Sequence, residues 1–190
     1  MKNQLPNSNG DARTLEDWEL RIMGLEERLQ PIARRPVDLT QPDWLDHLRV
    51  GVPPLDEAEV REQVEQLLGE LIPAYAKGGD ETRSVIRRMF AECGSFAWAA
   101  ALSTRPTNME GLRQHLILFS MKDQGQDGRD ALLTLQEIVR EADTAGVDKA
   151  AVLREVAAMS SSTNRYGMGS TRDMLLKFAN TPCNGLSLSS

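Results

Sequence analysis

Aromatic residues are scarce in this sequence. Phe, Trp and Tyr together make up 5% of its 190 residues, so a hydrophobic core has to be built mainly from aliphatic side chains and methionine. Leu, Met and Ala favour helices, whereas sheets are enriched in aromatic and β-branched residues. The composition therefore favours a helical protein, and its hydrophobic content of 41% suits one domain with a sizeable core.

Cysteine and histidine are also rare. Cys93 and Cys183 are too few for a disulfide framework or a cysteine-rich metal site. Cys93 lies in the apolar stretch MFAECGSFAW, which predicts a buried, unreactive thiol. His47 and His115 have no metal ligand at suitable spacing, and the sequence contains no nucleophile elbow or HExxH pair. We therefore expect a non-catalytic protein that carries no cofactor and no metal.

The sequence has neither an excess of positive charge nor a long apolar run. Its formal net charge is -6, which argues against a non-specific nucleic-acid binder because such proteins need a basic face. No stretch is long enough to span a bilayer, and the opening MKNQLPNSNGDAR lacks the apolar core of a signal peptide. We expect a cytoplasmic protein whose partners are neither nucleic acids nor membranes.

Apolar residues recur at spacings of three and four along most of the chain, and no segment alternates long enough to predict a strand. We expect an all-α, single-domain helical bundle of about seven helices with short connections. The segments GRDALLTL and TRDMLLKF both contain Arg-Asp followed, after one residue, by Leu-Leu. This similarity makes helical-repeat-like stacking an alternative. The predicted organisation is a disordered tail (1–13), a first helix with a proline-broken arm (14–54), a helical core (55–180) and a loose tail (181–190).

The first predicted helix begins with Thr14 as its cap and Asp17 as a weak capping-box partner. Its apolar stripe consists of Leu15, Trp18, Ile22, Leu25 and Leu29. The stripe is too short to predict a coiled coil, so we expect it to dock on the rest of the same chain. Exchange of this helix between two copies, which would give a homodimer, is the alternative.

Breaker and cap residues predict several helix ends. Pro73 is expected to kink or end the helix in which it lies. The pair Gly78-Gly79 is expected to break the chain. Asp80 and Asp148 are expected to cap the two helices that follow them. The apolar stretch that runs into FAWAAAL predicts a central buried helix, in which Gly94 is a candidate for a bend.

The helix predicted after Leu55 has a strongly acidic face. Its carboxylates belong to Asp56, Glu57, Glu59, Glu62, Glu65 and Glu70, with Arg61 as the one basic residue among them. One interpretation is a solvated face, on which like charges a turn apart cost a few tenths of a kcal/mol per pair. The other is a docking surface for a basic partner. The acidic residues from Asp56 to Glu65 are therefore candidate partner-binding residues.

The stretch RYGMGSTRDMLLKF, residues 165–178, places Gly, Ser, Thr and Arg ahead of an apolar run. Ser170 as N-cap and Asp173 at N3 explain this pattern without a ligand. The alternative is a phosphate or carboxylate site at a helix N-terminus, formed by Arg129, Arg165, Ser170, Thr171 and Arg172. That site requires the polar segments 122–130 and 160–170 to lie side by side. The stretch does not match a phosphate-binding P-loop, because no Lys precedes the Ser-Thr pair.

The segment LILFSMKDQGQDGRDALLTLQEIV, followed by GVD and RYGMGSTRDMLL, resembles a group of uncharacterised bacterial helical proteins. The resemblance covers the second half of the chain and implies no activity, ligand or catalytic residue. The hypothesis that fits these observations is a non-catalytic bacterial protein-interaction module. Its most concrete form is an immunity or antitoxin-like inhibitor that binds a basic partner through the acidic helix. A small-molecule or anion-binding helical protein is the alternative.

Overall fold

A computed structural model describes residues 8–33, 58–104, 106–125, 128–164 and 167–181. Within these ranges the chain forms eight α-helices and one short 3₁₀ helix, and it contains no strand. The all-α fold class is therefore confirmed. The α-helices are α1 (Ser8–Ala33), α2 (Ala58–Lys77), α3 (Asp80–Glu92), α4 (Gly94–Leu102), α5 (Met109–Met121), α6 (Gly128–Thr144), α7 (Lys149–Met159) and α8 (Thr171–Ala179), and the 3₁₀ helix is Lys122–Gly125.

The start of α1 differs from the sequence-based prediction. The helix begins at Ser8, so residues 8–13 belong to it, and Thr14 is not its cap. The helix also continues past Pro31 to Ala33. The rest of the predicted arm, its short helix PDWLDHLR and nearly all of the predicted C-terminal tail lie outside the described residues.

The predicted break between α2 and α3 is confirmed, but its details differ. α2 passes through Pro73 and ends at Lys77. A side chain at Gly78 would place its Cβ 2.6 Å from the carbonyl oxygen of Ala74, so this turn requires glycine. Asp80 is the first helical residue rather than the cap, which is Gly79 and makes no side-chain capping bond.

The apolar central segment is divided into two helices rather than bent within one. α3 ends at Glu92, α4 begins at Gly94, and Cys93 lies between them outside helical geometry. Burial of α4 is confirmed, because Phe96, Ala97, Ala99 and Ala100 are all buried. The rings of Phe90 and Phe96 meet edge to face across the break, with centroids 5.4 Å apart. Such aromatic pairs add to the stability gained from burial alone.

The first helix docks on its own chain, as its stripe predicted. Trp18, Ile22, Leu25 and Leu29 are buried, and α1 packs against α2, α3 and α4. A homodimer formed through this stripe would therefore require exchange of the whole helix. At the other end of the chain α7 and α8 pack against each other, and buried Leu153 and Leu175 belong to the common core.

Candidate partner-binding site

The carboxylates of α2 lie on two sides of the helix. On the side facing α1, Glu70 accepts hydrogen bonds of 2.9 and 3.0 Å from the Arg21 guanidinium and one of 2.9 Å from the indole N–H of Trp18. These bonds, with the Arg21 bond as the largest cause, lower the pKa of the Glu70 carboxyl from its ordinary value. Glu59 forms a 3.3 Å ion pair with Arg28 on the same side. This side of α2 is neutralised within the chain.

The other side of α2 has exposed carboxylates without such partners. Glu62 and Glu65 are one turn apart and exposed, and neither forms a hydrogen bond or ion pair with a described residue. Glu59, a third candidate from the acidic sequence pattern, is bound to Arg28. Asp56 and Glu57, the remaining two, lie outside the described residues. Glu62 and Glu65 are therefore the candidates whose charge is available to a partner.

A groove lies beside Glu65 between α2, the end of α4 and α5, and we call it the α2–α5 groove. Its volume is about 380 Å³, and it is lined by Glu65, Leu68, Gly69, Ile72, Pro73, Ser103, Thr104, Glu110 and Gln114. Leu68, Ile72 and Pro73 supply apolar surface, while oxygen-bearing side chains stand on the α4 and α5 side. Such a combination of apolar lining with a few polar groups is typical of binding clefts.

The polar side chains on the α4 and α5 side of the α2–α5 groove already have partners. Glu110 accepts 2.7 Å and 3.1 Å hydrogen bonds from Arg113 and Gln114. The Thr104 hydroxyl lies 2.6 Å from Nδ1 of His115. These contacts fix the α5 side of the groove in place. Glu65, on the opposite side, is the lining carboxylate that lacks a bond to a described residue.

A second groove of about 430 Å³ separates α1 from α2. It is lined by Arg21, Gly24, Leu25, Arg28, Gln63, Gln66 and Leu67. Its two arginines give it basic sides, and both guanidiniums are bound to carboxylates of α2. The arginines of this groove are thus neutralised, whereas the α2–α5 groove has the unpaired carboxylate of Glu65 at its edge.

The described parts of the alternative anion site contact other helices of the bundle. The Thr171 hydroxyl donates a hydrogen bond to the buried carboxylate of Asp123. The hydroxyls of Ser120 and Ser160 are 2.9 Å apart. Asp123, in the segment 122–130, thus contacts the start of α8, and Ser160, in the segment 160–170, contacts the end of α5.

The described anion-site candidates, however, already have partners, and Arg129 is among them. Ser170 and Asp173 form a reciprocal capping box at the start of α8, which confirms the predicted cap. The Arg172 guanidinium donates to the carbonyl oxygens of Ala157 and Ala158 at the end of α7, at 3.1 and 3.3 Å. Thr171 is bound to Asp123. Of the other two candidates, Arg129 is exposed at the start of α6, and Arg165 lies outside the described residues.

A buried polar chain, which periodicity did not predict, crosses the core. Arg87 donates a 2.9 Å hydrogen bond to the hydroxyl of Tyr75, which lies 2.9 Å from the Ser120 hydroxyl. Ser120 contacts Ser160, whose hydroxyl donates to the carbonyl oxygen of Val156 at 2.7 Å. Because Tyr75, Ser120 and Ser160 are buried, an unbonded hydroxyl here would be costly. The chain satisfies the hydroxyls and joins α2, α3, α5 and α7.

Lys122, beside this polar chain, is a partly buried cation. Burial lowers the pKa of its ammonium group from the ordinary value. No ion pair or hydrogen bond links its side chain to the rest of the described chain. The adjacent carboxylate of Asp123 is bound to Thr171.

Comparisons of this chain with protein-family models, curated proteins and solved structures found no match. Among the described helices, none is long and apolar enough to cross a membrane. The same residues contain no group of three or more His, Cys, Asp and Glu side chains arranged to hold a metal ion.

Proposed function

We propose that this protein is a non-catalytic bacterial interaction module that binds a basic protein partner through Glu62 and Glu65 of α2. The observation that carries the proposal is the division of the α2 carboxylates. Glu59 and Glu70 are paired with arginines of α1, whereas Glu62 and Glu65 are exposed and have no partner in the described chain. A basic partner would supply the missing counter-charges.

The energetics of such a surface favour recognition over strong affinity. An exposed ion pair contributes about 0.2–1 kcal/mol, so two pairs alone give a small part of a tight complex. Their larger effect is on the rate of association and on the choice of partner, because complementary charges steer the encounter. The most concrete form of the proposal is an immunity or antitoxin-like inhibitor that acts in the cytoplasm on a basic toxin.

The proposal is tested by capture followed by a quantitative binding assay. Immobilised protein is exposed to a lysate of the source organism, and proteins released by salt are identified and purified. The dissociation constant of each is then measured for the wild type and for the double variant Glu62→Gln/Glu65→Gln. Loss of two exposed pairs should weaken binding of a basic partner by roughly two- to thirtyfold.

The matched control is Glu16→Gln/Glu27→Gln, which removes two exposed carboxylates from α1. This variant has the same net charge as the test variant. Because its two substitutions lie on α1 and not on the proposed binding surface, it should bind the partner as the wild type does. Equal losses in both double variants would show a non-specific charge effect and contradict the proposal. The inhibitor form further requires that the partner loses its own activity when bound.

A further inference from the structure

We propose that the α2–α5 groove receives a long basic side chain of that same partner, with arginine as the best fit. The inference depends on the proposed function, and it adds the place where the partner inserts. The groove lies directly beside Glu65, one of the two unpaired carboxylates, and extends from there over Leu68, Ile72 and Pro73. A partner that binds Glu65 therefore lies next to this groove.

The chemistry of the lining selects the occupant. Arginine and lysine have an aliphatic stem that is buried favourably on apolar surface and a charged head that needs acceptors. Leu68, Ile72 and Pro73 offer the apolar surface, and the Glu65 carboxylate offers the acceptor. An acidic side chain would meet Glu65 and Glu110 and be repelled.

Arginine suits the Glu65 carboxylate better than lysine does. Its planar guanidinium presents five N–H donors and can bond to one carboxylate through two of them at once. Glu65 lines the groove together with the apolar Ile72 and Pro73, so one arginine side chain can meet both kinds of surface.

Gly69 is an unusual choice in the middle of α2, since only proline is a poorer helix former. Its φ is not in the left-handed region, and a Cβ added there would meet nothing within 4 Å. Contacts with the rest of the chain therefore do not require glycine at this position. A larger side chain at Gly69 would instead extend into open space beside the groove lining.

The test fills the groove with a side chain of the protein's own. Gly69→Trp places a large ring in the α2–α5 groove. Gly24→Trp does the same in the groove that separates α1 from α2, where a Cβ also meets nothing within 4 Å. Thermal melts of both variants are measured first to establish whether they fold. The probe is a fluorescein-labelled hexa-arginine peptide at low salt, with hexa-glutamate as its counterpart, and binding is followed by anisotropy.

We expect hexa-arginine to bind the wild type and hexa-glutamate not to bind. Affinity for hexa-arginine should fall by about tenfold or more in Gly69→Trp and stay within about twofold in Gly24→Trp. Backbone amide shifts of the unmodified protein, measured by NMR during titration with hexa-arginine, should change at Gly69, Ser103 and Gln114. This last measurement does not depend on any variant.

Other outcomes overturn the inference and separate it from the proposed function. Full binding to Gly69→Trp, or shifts confined to Glu62 and Glu65, would place the partner on the acidic side of α2 but outside the groove. The proposed function would then stand without the groove. Absence of hexa-arginine binding to the wild type would also overturn the groove inference, and capture of a basic partner would still decide the proposed function.

Discussion

The carboxylate of Glu26 accepts a 2.7 Å hydrogen bond from the backbone N–H of Phe96. A second bond of 3.2 Å comes from the N–H of Ser95. These groups belong to the first turn of α4, whose own N-cap, Cys93, gives no side-chain bond. A residue of α1 thus performs the capping that the local sequence does not, and its negative charge lies at the positive end of the α4 dipole.

Removal of this contact should destabilise the whole bundle, since it joins α1 to the buried α4. We expect Glu26→Ala to lower the free energy of unfolding by about 1–2 kcal/mol, the usual effect of losing a cap. Urea titration followed by circular dichroism measures the change. Glu27→Ala removes an exposed neighbour and should change stability by less than about 0.5 kcal/mol. Similar losses in the two variants would contradict the capping role of Glu26.

The capping box of α8 gives a second stability prediction. Ser170 is buried, accepts from the N–H of Asp173 at 3.1 Å and donates to its carboxylate at 2.7 Å. Ser170→Ala should therefore cost about 1 kcal/mol in urea unfolding. Ser162→Ala, which changes an exposed serine of the preceding loop, is the control and should be close to neutral. A neutral Ser170→Ala would show that the box contributes nothing measurable.

The same end of the molecule tests the anion-site alternative. Because Ser170, Thr171 and Arg172 are bonded within the protein, we expect inorganic phosphate to give no specific thermal stabilisation. The measurement is the melting temperature in phosphate against chloride at equal ionic strength. A rise with phosphate that disappears in Arg172→Ala would favour the anion-binding alternative over this prediction.

The thiol of Cys93 is expected to be unreactive in the native protein. Burial is the main cause that raises its pKa to about 11, with Glu26, Glu92 and Glu19 contributing. At pH 8 a thiol with this pKa has roughly 200-fold less thiolate than an ordinary cysteine, and thiolate is the reactive form. The assay is disulfide exchange with a chromogenic reagent in Cys183→Ser, where Cys93 is the one remaining thiol. Slow reaction should become fast in denaturant, and fast native reaction would contradict the prediction.

Lys122 should make stability depend on pH in the alkaline range. Burial lowers its pKa below the ordinary 10.5, so at neutral pH the folded protein holds a poorly hydrated charge. Between the lowered pKa and 10.5 the unfolded chain holds the extra proton, and stability therefore rises with pH in this window. We expect Lys122→Met to be more stable than the wild type at pH 7, with the difference shrinking toward pH 10.5.

Melting temperatures measured from pH 7 to pH 10 check the Lys122 prediction. The exposed Lys77→Met variant controls for the loss of one lysine. A constant difference between Lys122→Met and the wild type at all pH values would contradict the role assigned to burial.

Local features of this protein were predictable because they depend on residues that are close in sequence. The stripe of α1 is set by the helical repeat, and Trp18 and Leu29 are buried as that repeat requires. The caps formed by Ser170 and Asp148 each join a side chain to a backbone N–H two or three residues later. The glycine break after Lys77 is of the same kind.

The sequence by itself determined the helical fold class, a few helix ends such as the cap at Ser170, and the acidic character of α2. Only the tertiary structure decided which acidic residues remain unpaired, because Arg21 and Glu70 are 49 residues apart and meet only when α1 packs on α2. The same holds for Glu26, which caps a helix that begins far along the chain, and for Arg172, whose guanidinium is bound at the end of α7. Periodicity assigns a residue to a face of its helix, but the partner of that face depends on how the helices pack.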